Sequence, residues 1–270
     1  MRLAWVTDIH ATFVDPGTWH LFLQTLDDQA DAVVISGDIA ESRDVGDYLR
    51  AIERRLQRPI YFVLGNHDFY RGSIAATRNA VAQLAGESEY LVYLTAGGFV
   101  ELTPDTALIG HDGWADGRLG NFDRSDVVLN DYLLIEELRH WKPGHVLDKQ
   151  RLRATLEILG DDAARHLEAA LMAAAAKYRD VIAVTHVPPF REAAWYQGRM
   201  SDDNFLPHFA SKAAGDVLLR VMEVYPQCNL LVVCGHTHGG GEFCPLANLR
   251  VLTGDAEYRL PRIQQVFEVT

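Results

Sequence analysis

The chain has 270 residues, 48% of them hydrophobic, which is enough for one large α/β domain or two small ones, and we expect one. A formal net charge of −12 opposes binding to long nucleic acids, whose phosphates favour clustered lysines and arginines. No apolar run could span a bilayer and no leader-like segment opens the chain, so we expect a cytoplasmic protein without a membrane span.

Strand-like and helical segments alternate over residues 1–86. Short apolar runs predict strands at Leu3–Val6, Ala32–Ile35 and Ile60–Leu64. Between and after them, apolar residues recur at helical spacing over Thr18–Gln29, Val45–Leu56 and Ser73–Leu84. This alternation is typical of parallel βαβ units.

The pattern changes after residue 86. Three short runs separated by turn residues predict a meander of strands at Tyr90–Leu94, Phe99–Leu102 and Ala107–Ile109. Helical patterns then cover Asp126–His140 and Asp148–Lys177. We interpret residues 112–180 as a helical cap or insertion within a single domain, 1–270, and ordinary outer helices are the alternative.

The last third of the chain returns to strands. A strand is predicted at Val181–Val184, a helix at Ser211–Tyr225 and another strand at Leu230–Val233. Further short strands are predicted at Gly241–Pro245, Arg250–Thr253 and Gln264–Val269. No repeat or low-complexity linker indicates a second independent domain.

Five segments rich in histidine and carboxylate follow the predicted strands. They are Asp8-Ile9-His10, Gly37-Asp38, Gly65-Asn66-His67-Asp68, Thr185-His186 and Gly235-His236-Thr237-His238. Ligands of α/β proteins bind outside the carboxyl ends of the strands, so these segments are expected to converge at one edge. Each segment alone is a weak signal, but the five together predict one site.

The residue types of these segments favour a pair of transition-metal ions. Asp8 and His10 are two positions apart at a strand end, so both can turn towards one ion. Carboxylates with neutral imidazoles suit Mn²⁺, Fe²⁺ or Zn²⁺ better than Mg²⁺ or Ca²⁺. Asp38 would bridge two divalent ions, whose coordination would be completed by Asn66, His186, His236 and His238.

From Asp8 to His238, the order of these motifs resembles the calcineurin-like metallophosphoesterase family. The resemblance implies an α/β fold in which a two-sheet β-sandwich is flanked by helices. It assigns Asp8, His10, Asp38 and His238 to one ion, and Asp38, Asn66, His186 and His236 to the other. It also implies that His67 is no ligand but assists the leaving group, while Asp68 orients its imidazole.

The predicted activity is the hydrolysis of small phosphate esters. A metal-bridging hydroxide would attack phosphorus in line, and His67 would protonate the leaving oxygen. Ala11, Ile39–Glu41 and Asp68 differ from the motifs of the family's protein phosphatases. The Gly-Asn-His-Asp and Gly-His-Thr-His forms look more like the subgroup that contains cyclic-nucleotide phosphodiesterases, glycerophosphodiesterases and related small phosphoesterases. We expect phosphodiesters first, and monoesters stay open because these two motifs do not distinguish the esters. The alternatives are a nuclease on the same dinuclear site and a noncatalytic interaction protein on this fold.

Four residues near the predicted metal edge are candidates for contact with the small phosphate-ester substrate. Arg118 and Arg191 would clamp a phosphate, while Trp114 and Tyr196 would stack on a ring. The alternative is that the arginines are solvated and the aromatic residues pack beneath loops. Nothing in the sequence indicates the oligomeric state.

Overall fold

The computed structural model describes residues 1–270, which form fifteen strands and seven α-helices. The strands are β1 (Arg2–Val6), β2 (Ala32–Ser36), β3 (Ile60–Val63), β4 (Leu91–Tyr93), β5 (Phe99–Glu101), β6 (Thr106–His111), β7 (Trp141–Lys142), β8 (Val146–Leu147), β9 (Asp180–Thr185), β10 (Trp195–Tyr196), β11 (Arg199–Met200), β12 (Asn229–Cys234), β13 (Gly241–Leu246), β14 (Leu249–Thr253) and β15 (Ile263–Glu268). The helices are α1 (Pro16–Gln29), α2 (Val45–Leu56), α3 (Ile74–Gly86), α4 (Asp131–Leu134), α5 (Lys149–Ala175), α6 (Leu206–Phe209) and α7 (Lys212–Val224).

Two mixed sheets carry the fold. The first has the order β15-β1-β2-β3-β4, in which β1 to β4 are parallel and β15 is antiparallel to β1. The second has the order β13-β14-β12-β9-β6-β5, with four parallel inner strands and an antiparallel strand at each edge. Two short hairpins, β7-β8 and β10-β11, lie outside both sheets.

The alternation of side chains along each strand produces four layers. In β1, Leu3 and Trp5 belong to the core between the two sheets, whereas Ala4 and Val6 belong to the core beneath the helices of the first sheet. Helices α1, α2 and α3 cover that outer face, and α5 and α7 cover the outer face of the second sheet. The predicted sandwich flanked by helices is therefore confirmed.

The prediction of one strand meander over residues 90–110 is wrong. Strand β4 joins β3 in the first sheet, whereas β5 and β6 form a hairpin in the second. A 3-10 turn at Leu94–Ala96 separates the two parts. The chain therefore crosses between the sheets at this turn, which local periodicity could not indicate.

The helix predicted over Asp126–His140 is also wrong, because only the single turn α4 and a 3-10 turn at Glu136–Leu138 form there. Tertiary contacts override the helical pattern. The Glu137 carboxylate accepts hydrogen bonds from the Ser73 hydroxyl at 2.8 Å and the Ile74 backbone N–H at 2.9 Å, at the start of α3.

The second helix predicted in residues 112–180 forms as α5. Its Leu152 and Leu156 pack into the core of the first sheet, and Ala170 and Ala174 pack into the outer core of the second. Helix α5 therefore covers the sandwich, and residues 112–148 are the part of the segment that passes the metal edge. None of the helices has the length and apolar character needed to cross a membrane.

Candidate metal centre

The structure brings all seven predicted metal ligands to one edge of the sandwich. Asp8 and His10 follow β1, Asp38 follows β2 and Asn66 follows β3. From the second sheet, ligands follow β9 and β12, namely His186, His236 and His238. Side chains separated by more than 200 residues thus meet where the parallel strands end.

The first predicted ligand set forms a compact cluster. The ligand atoms of Asp8, His10, Asp38 and His238 all lie within 4.8 Å of one another. The Nε2 atoms of His10 and His238 are 3.0 Å apart, and Asp8 Oδ1 lies 3.4 Å from His238 Nε2. Two carboxylates and two imidazoles at this spacing fit one transition-metal ion.

The second set directs electron lone pairs at one point. His186 uses Nδ1 to donate to the Ser36 carbonyl at 2.9 Å, and His236 uses Nε2 to donate to the His208 carbonyl at 3.0 Å. In a neutral imidazole the other nitrogen then carries a lone pair. These lone-pair nitrogens lie 3.0 and 2.9 Å from Asn66 Oδ1, which is itself an acceptor.

Three acceptors facing one another repel unless a cation lies between them. The backbone carbonyls fix the two imidazole tautomers that metal ligation requires. The residues present therefore fit the second ion that the family resemblance implies.

Asp38 lies between the two sets. Its Oδ2 is 3.8 Å from His10 Nε2 in the first set, and its Oδ1 is 3.4 Å from His186 Nε2 in the second. The His67 backbone N–H donates to Oδ1 at 2.8 Å and holds the carboxylate in this orientation. One oxygen faces each set, as a bridging ligand requires.

The backbone at these strand ends is strained. Five of the seven predicted ligands have positive φ angles between 45° and 73°, namely Asp8, His10, Asp38, His236 and His238. Each such residue costs of the order of 1–3 kcal/mol and persists only where its surroundings enforce it. Repetition of the same strain around one cluster indicates a functional site.

Glycines allow the motif loops to approach one another closely. A Cβ atom at Gly65 would clash with the Asp38 carboxylate, and one at Gly235 would clash with the Asp8 carboxylate and the Thr7 hydroxyl. The glycine of each of these two motifs therefore leaves room for a ligand that comes from another strand.

Burial sets the electrostatics of the centre. It raises the pKa of Asp38, and the negative charge of Asp8 raises it further. It lowers the pKa of His10 to about 3 and that of His236 to about 4. The imidazoles of His10 and His236 are thus neutral, as ligation requires, whereas the hydrogen bond and charge of Asp8 outweigh burial and raise the pKa of His238. The two crowded carboxylates need cations as partners.

Asp68 makes different contacts from those predicted. Asp68 is predicted to orient the His67 imidazole, but its Oδ1 accepts from the backbone N–H groups of Ile39 and Ala40 at 2.9 and 2.8 Å, and its Oδ2 from Gly65 at 2.8 Å. The contact to His67 is absent because these donors occupy a fully buried carboxylate. Asp68 instead joins two motif loops.

His67 faces the open side of the centre. Its ring stacks on Tyr70 with centroids 4.2 Å apart and meets His10 edge-on at 4.5 Å. Burial lowers the pKa of His67 to about 2, so the imidazole is neutral in the protein alone. Its Nδ1 has no hydrogen-bond partner.

An open cleft of about 250 Å³ leads to the centre. Of the four predicted substrate contacts only Tyr196 lines this cleft. Trp114 is 5% exposed and packs in the core against Phe69. The prediction for Trp114 is corrected accordingly, because its ring is used for packing.

The two predicted arginine clamps are also corrected. Arg118 pairs with Asp161 at 2.6 Å and Asp116 at 3.2 Å, and Arg191 pairs with Asp203 at 2.7 Å. Neither arginine lines the cleft, because acids of the same chain hold both guanidinium groups.

Three further residues contact the centre although they were not predicted as parts of the site. Asp131 accepts from Asn66 Nδ2 at 2.9 Å, and the Tyr258 ring lies over His10 with centroids 4.4 Å apart. His208 presents its carbonyl to His236 Nε2 at 3.0 Å. Asp131 and Tyr258 lie outside the five motifs, so no strand-end signal pointed to them.

The same fold occurs in solved structures of low sequence identity. Phosphopantetheinyl hydrolase from Mycobacterium tuberculosis matches with a TM-score of 0.67 and 15% identity, over 96% of this chain and 90% of that chain. A dimetal phosphatase from Danio rerio matches with a TM-score of 0.56 and 17% identity, over 94% and 87%. A comparison with curated protein sequences gives no significant match.

The sequence model of the calcineurin-like phosphoesterase family matches residues 1–240, which include all five motifs. This match covers most of the chain and agrees with the four-layer fold and the converging ligands. The chain therefore belongs to the calcineurin-like phosphoesterase family, and by that membership it is a phosphoric ester hydrolase.

Proposed function

We propose that this phosphoesterase hydrolyses small phosphate esters, phosphodiesters above all, at a centre of two divalent transition-metal ions. The observation that carries the proposal is the pair of ligand sets that share Asp38, with one carboxylate oxygen towards each set. Manganese, iron and zinc all suit the mixture of imidazole and oxygen ligands.

The residues around the centre support hydrolysis. When bound, the two ions supply a water-derived nucleophile and neutralise phosphoryl oxygens. His67 lies at the cleft without being part of either ligand set, so it is free to donate a proton to the leaving oxygen. A bound phosphoryl anion favours the charged form of this imidazole, which is neutral in the protein alone.

The charge of the cleft favours diesters over monoesters. None of the thirteen residues that line it is a lysine or arginine, and Asp131 adds a carboxylate. Two divalent ions with the carboxylates of Asp8, Asp38 and Asp131 carry a net charge of about +1. The single negative charge of a diester matches this net charge. The second negative charge of a monoester would find no lysine or arginine in the cleft to neutralise it.

Asp38→Ala tests the shared centre. Protein loaded with Mn²⁺ or Zn²⁺ is expected to hold two ions per chain by elemental analysis and to hydrolyse bis(p-nitrophenyl) phosphate faster than p-nitrophenyl phosphate. The variant is expected to lose at least one ion and nearly all turnover. A screen of cyclic nucleotides, glycerophosphodiesters and phosphopantetheinyl esters, the last suggested by one neighbour's name, would then identify the ester.

The control for this experiment is Asp216→Ala, which removes an exposed carboxylate paired with Lys212 on α7. Its metal content and turnover are expected to stay unchanged. A wild-type chain that never holds more than one tightly bound ion, or an Asp38→Ala variant that keeps two ions and full activity, would contradict the proposal. The intact ligand set opposes a noncatalytic role, because a buried polar cluster is costly to retain without function.

A further inference from the structure

Tyr258 contacts the centre from a segment outside the motifs. It lies between β14 and β15, beyond the residues 1–240 that match the family. Its ring stacks on His10 at an interplanar angle of 27°, and Phe13 packs edge-on against it with centroids 5.7 Å apart. Although these rings hold it, Tyr258 is 45% exposed and lines the metal cleft.

The Tyr258 hydroxyl is a hydrogen-bond partner of the His67 imidazole. It lies 3.4 Å from His67 Nε2, and this is the single side-chain hydrogen bond of that imidazole. His67 Nδ1 is buried without a partner, and Asp68 is occupied by backbone donors. The His67 ring is therefore oriented by its stack on Tyr70 and by Tyr258.

We propose that Tyr258 is the positioning residue for His67. Its hydroxyl accepts a long hydrogen bond from the Nε2–H group and so keeps that N–H at the cleft, where it exchanges this partner for the leaving oxygen of the ester. The inference rests on the proposed function, since it assigns to His67 the protonation of that oxygen. Tyr258 is not proposed as a ligand of either ion. Its ring stacks on His10, and its hydroxyl forms its hydrogen bond with His67, which is not a ligand.

A misplaced proton donor affects esters unequally. Protonation matters most when the departing alkoxide or phenoxide is basic and little when it is p-nitrophenoxide. Tyr258→Phe keeps the ring over His10 but removes the hydroxyl. Its effect on kcat should therefore grow with the basicity of the leaving group, whereas a general loosening of the cleft would lower all rates alike.

The experiment uses methyl aryl phosphodiesters with leaving groups from p-nitrophenol to phenol, on metal-loaded full-length protein. Tyr258→Phe is expected to lower kcat about tenfold on the phenyl ester and less than about twofold on the p-nitrophenyl ester, with KM and both ions retained. Removal of His67 should cost more, about 10² on the phenyl ester. In a His67→Ala background, Tyr258→Phe should have no further effect.

Tyr48→Phe is the matched control, because Tyr48 packs against Trp19 on the helical face and lies outside the cleft. Its kinetics should equal those of the wild type. A second readout is the NMR signal of the His67 imidazole in metal-free protein, which Tyr258→Phe should shift and Tyr48→Phe should not.

Several outcomes would overturn the inference while leaving the proposed function intact. The first is an equal loss of kcat on all esters, and the second is a loss of bound metal. The third is an effect of Tyr258→Phe that is undiminished in the His67→Ala background. If the wild type hydrolyses none of the esters, the proposed function fails. The NMR signal then decides the inference alone, and an unchanged His67 resonance in Tyr258→Phe overturns it.

Discussion

Asp131 orients the amide of Asn66, the one amide among the predicted ligands. A carboxylate only accepts hydrogen bonds, so it selects the Nδ2 end of that amide and leaves Oδ1 facing His186 and His236. Tyr70 donates to the same carboxylate oxygen at 2.7 Å and fixes it in turn. Asp131 is 4% exposed, so water cannot replace it freely.

Removal of this carboxylate should weaken the second ion. In Asp131→Ala, the Asn66 amide loses the partner that sets its orientation, and we expect a loss of about 10- to 100-fold in affinity for one of the two ions. Calorimetric titration of metal-free protein with Zn²⁺ measures both sites. Asp216→Ala, which removes an exposed carboxylate outside the cleft, should leave both affinities unchanged. Equal affinities in Asp131→Ala and wild type would show that Asn66 needs no such support.

At the residue scale, the sequence predicted which side chains converge but not what holds them. The ligands were predictable because each follows a buried apolar strand, and strand ends share an edge. Asp131 and Tyr258 were not, because they reach the centre from loops whose course depends on tertiary packing. Asp68 was misassigned because adjacency to His67 says nothing about which backbone groups its carboxylate meets.

Asp112 joins elements of both sheets just below the metal edge. It follows β6 and accepts hydrogen bonds from the Leu64 backbone at 2.8 Å, the Tyr93 hydroxyl at 2.7 Å and the Thr95 hydroxyl at 2.7 Å. Arg78 of α3 adds an ion pair at 2.8 Å. Burial alone would raise the pKa of Asp112, but the guanidinium and these donors hold it below the usual value.

Loss of this carboxylate should destabilise the whole fold. Asp112→Ala leaves the largely buried Arg78 without its main partner, which typically costs about 3–5 kcal/mol. Urea unfolding followed by circular dichroism measures the change in the free energy of unfolding. Asp162→Ala removes the weaker, half-exposed partner of the same arginine and should cost less than about 1 kcal/mol. Similar losses in the two variants would mean that Asp112 does not connect the sheets.

At the element scale, helical periodicity predicted one helix correctly and another wrongly. Helix α2 forms over Val45–Leu56 as predicted, because one face of it is continuously apolar. The pattern over Asp126–His140 was equally suggestive, yet Glu137 caps α3 and Asp131 serves Asn66, so the backbone follows those contacts. Helix propensity is overridden where side chains have partners that are distant in the sequence.

At the scale of the whole molecule, no lysine or arginine lines the metal cleft. The chain has 25 lysines and arginines against 37 aspartates and glutamates. The two arginines that were predicted to contact substrate, Arg118 and Arg191, are paired with acids. The alternation of strands and helices indicated parallel units, whereas the stacking of two sheets followed from the family resemblance. Strand β15 returns to pair with β1, a contact between chain ends that local patterns do not encode.

This charge distribution separates a small-ester hydrolase from a nuclease on the same site. A duplex would need several cationic contacts along its backbone, and the cleft supplies none. We expect binding of metal-loaded protein to duplex DNA to be weaker than about 10⁻⁴ M at ~0.15 M salt, measured by fluorescence anisotropy. Tighter binding with an affinity that falls steeply as salt rises, together with cleavage of the bound strand, would instead favour the nuclease. The ions alone cannot produce that salt dependence, because they neutralise one phosphate, whereas the slope counts every phosphate contacted.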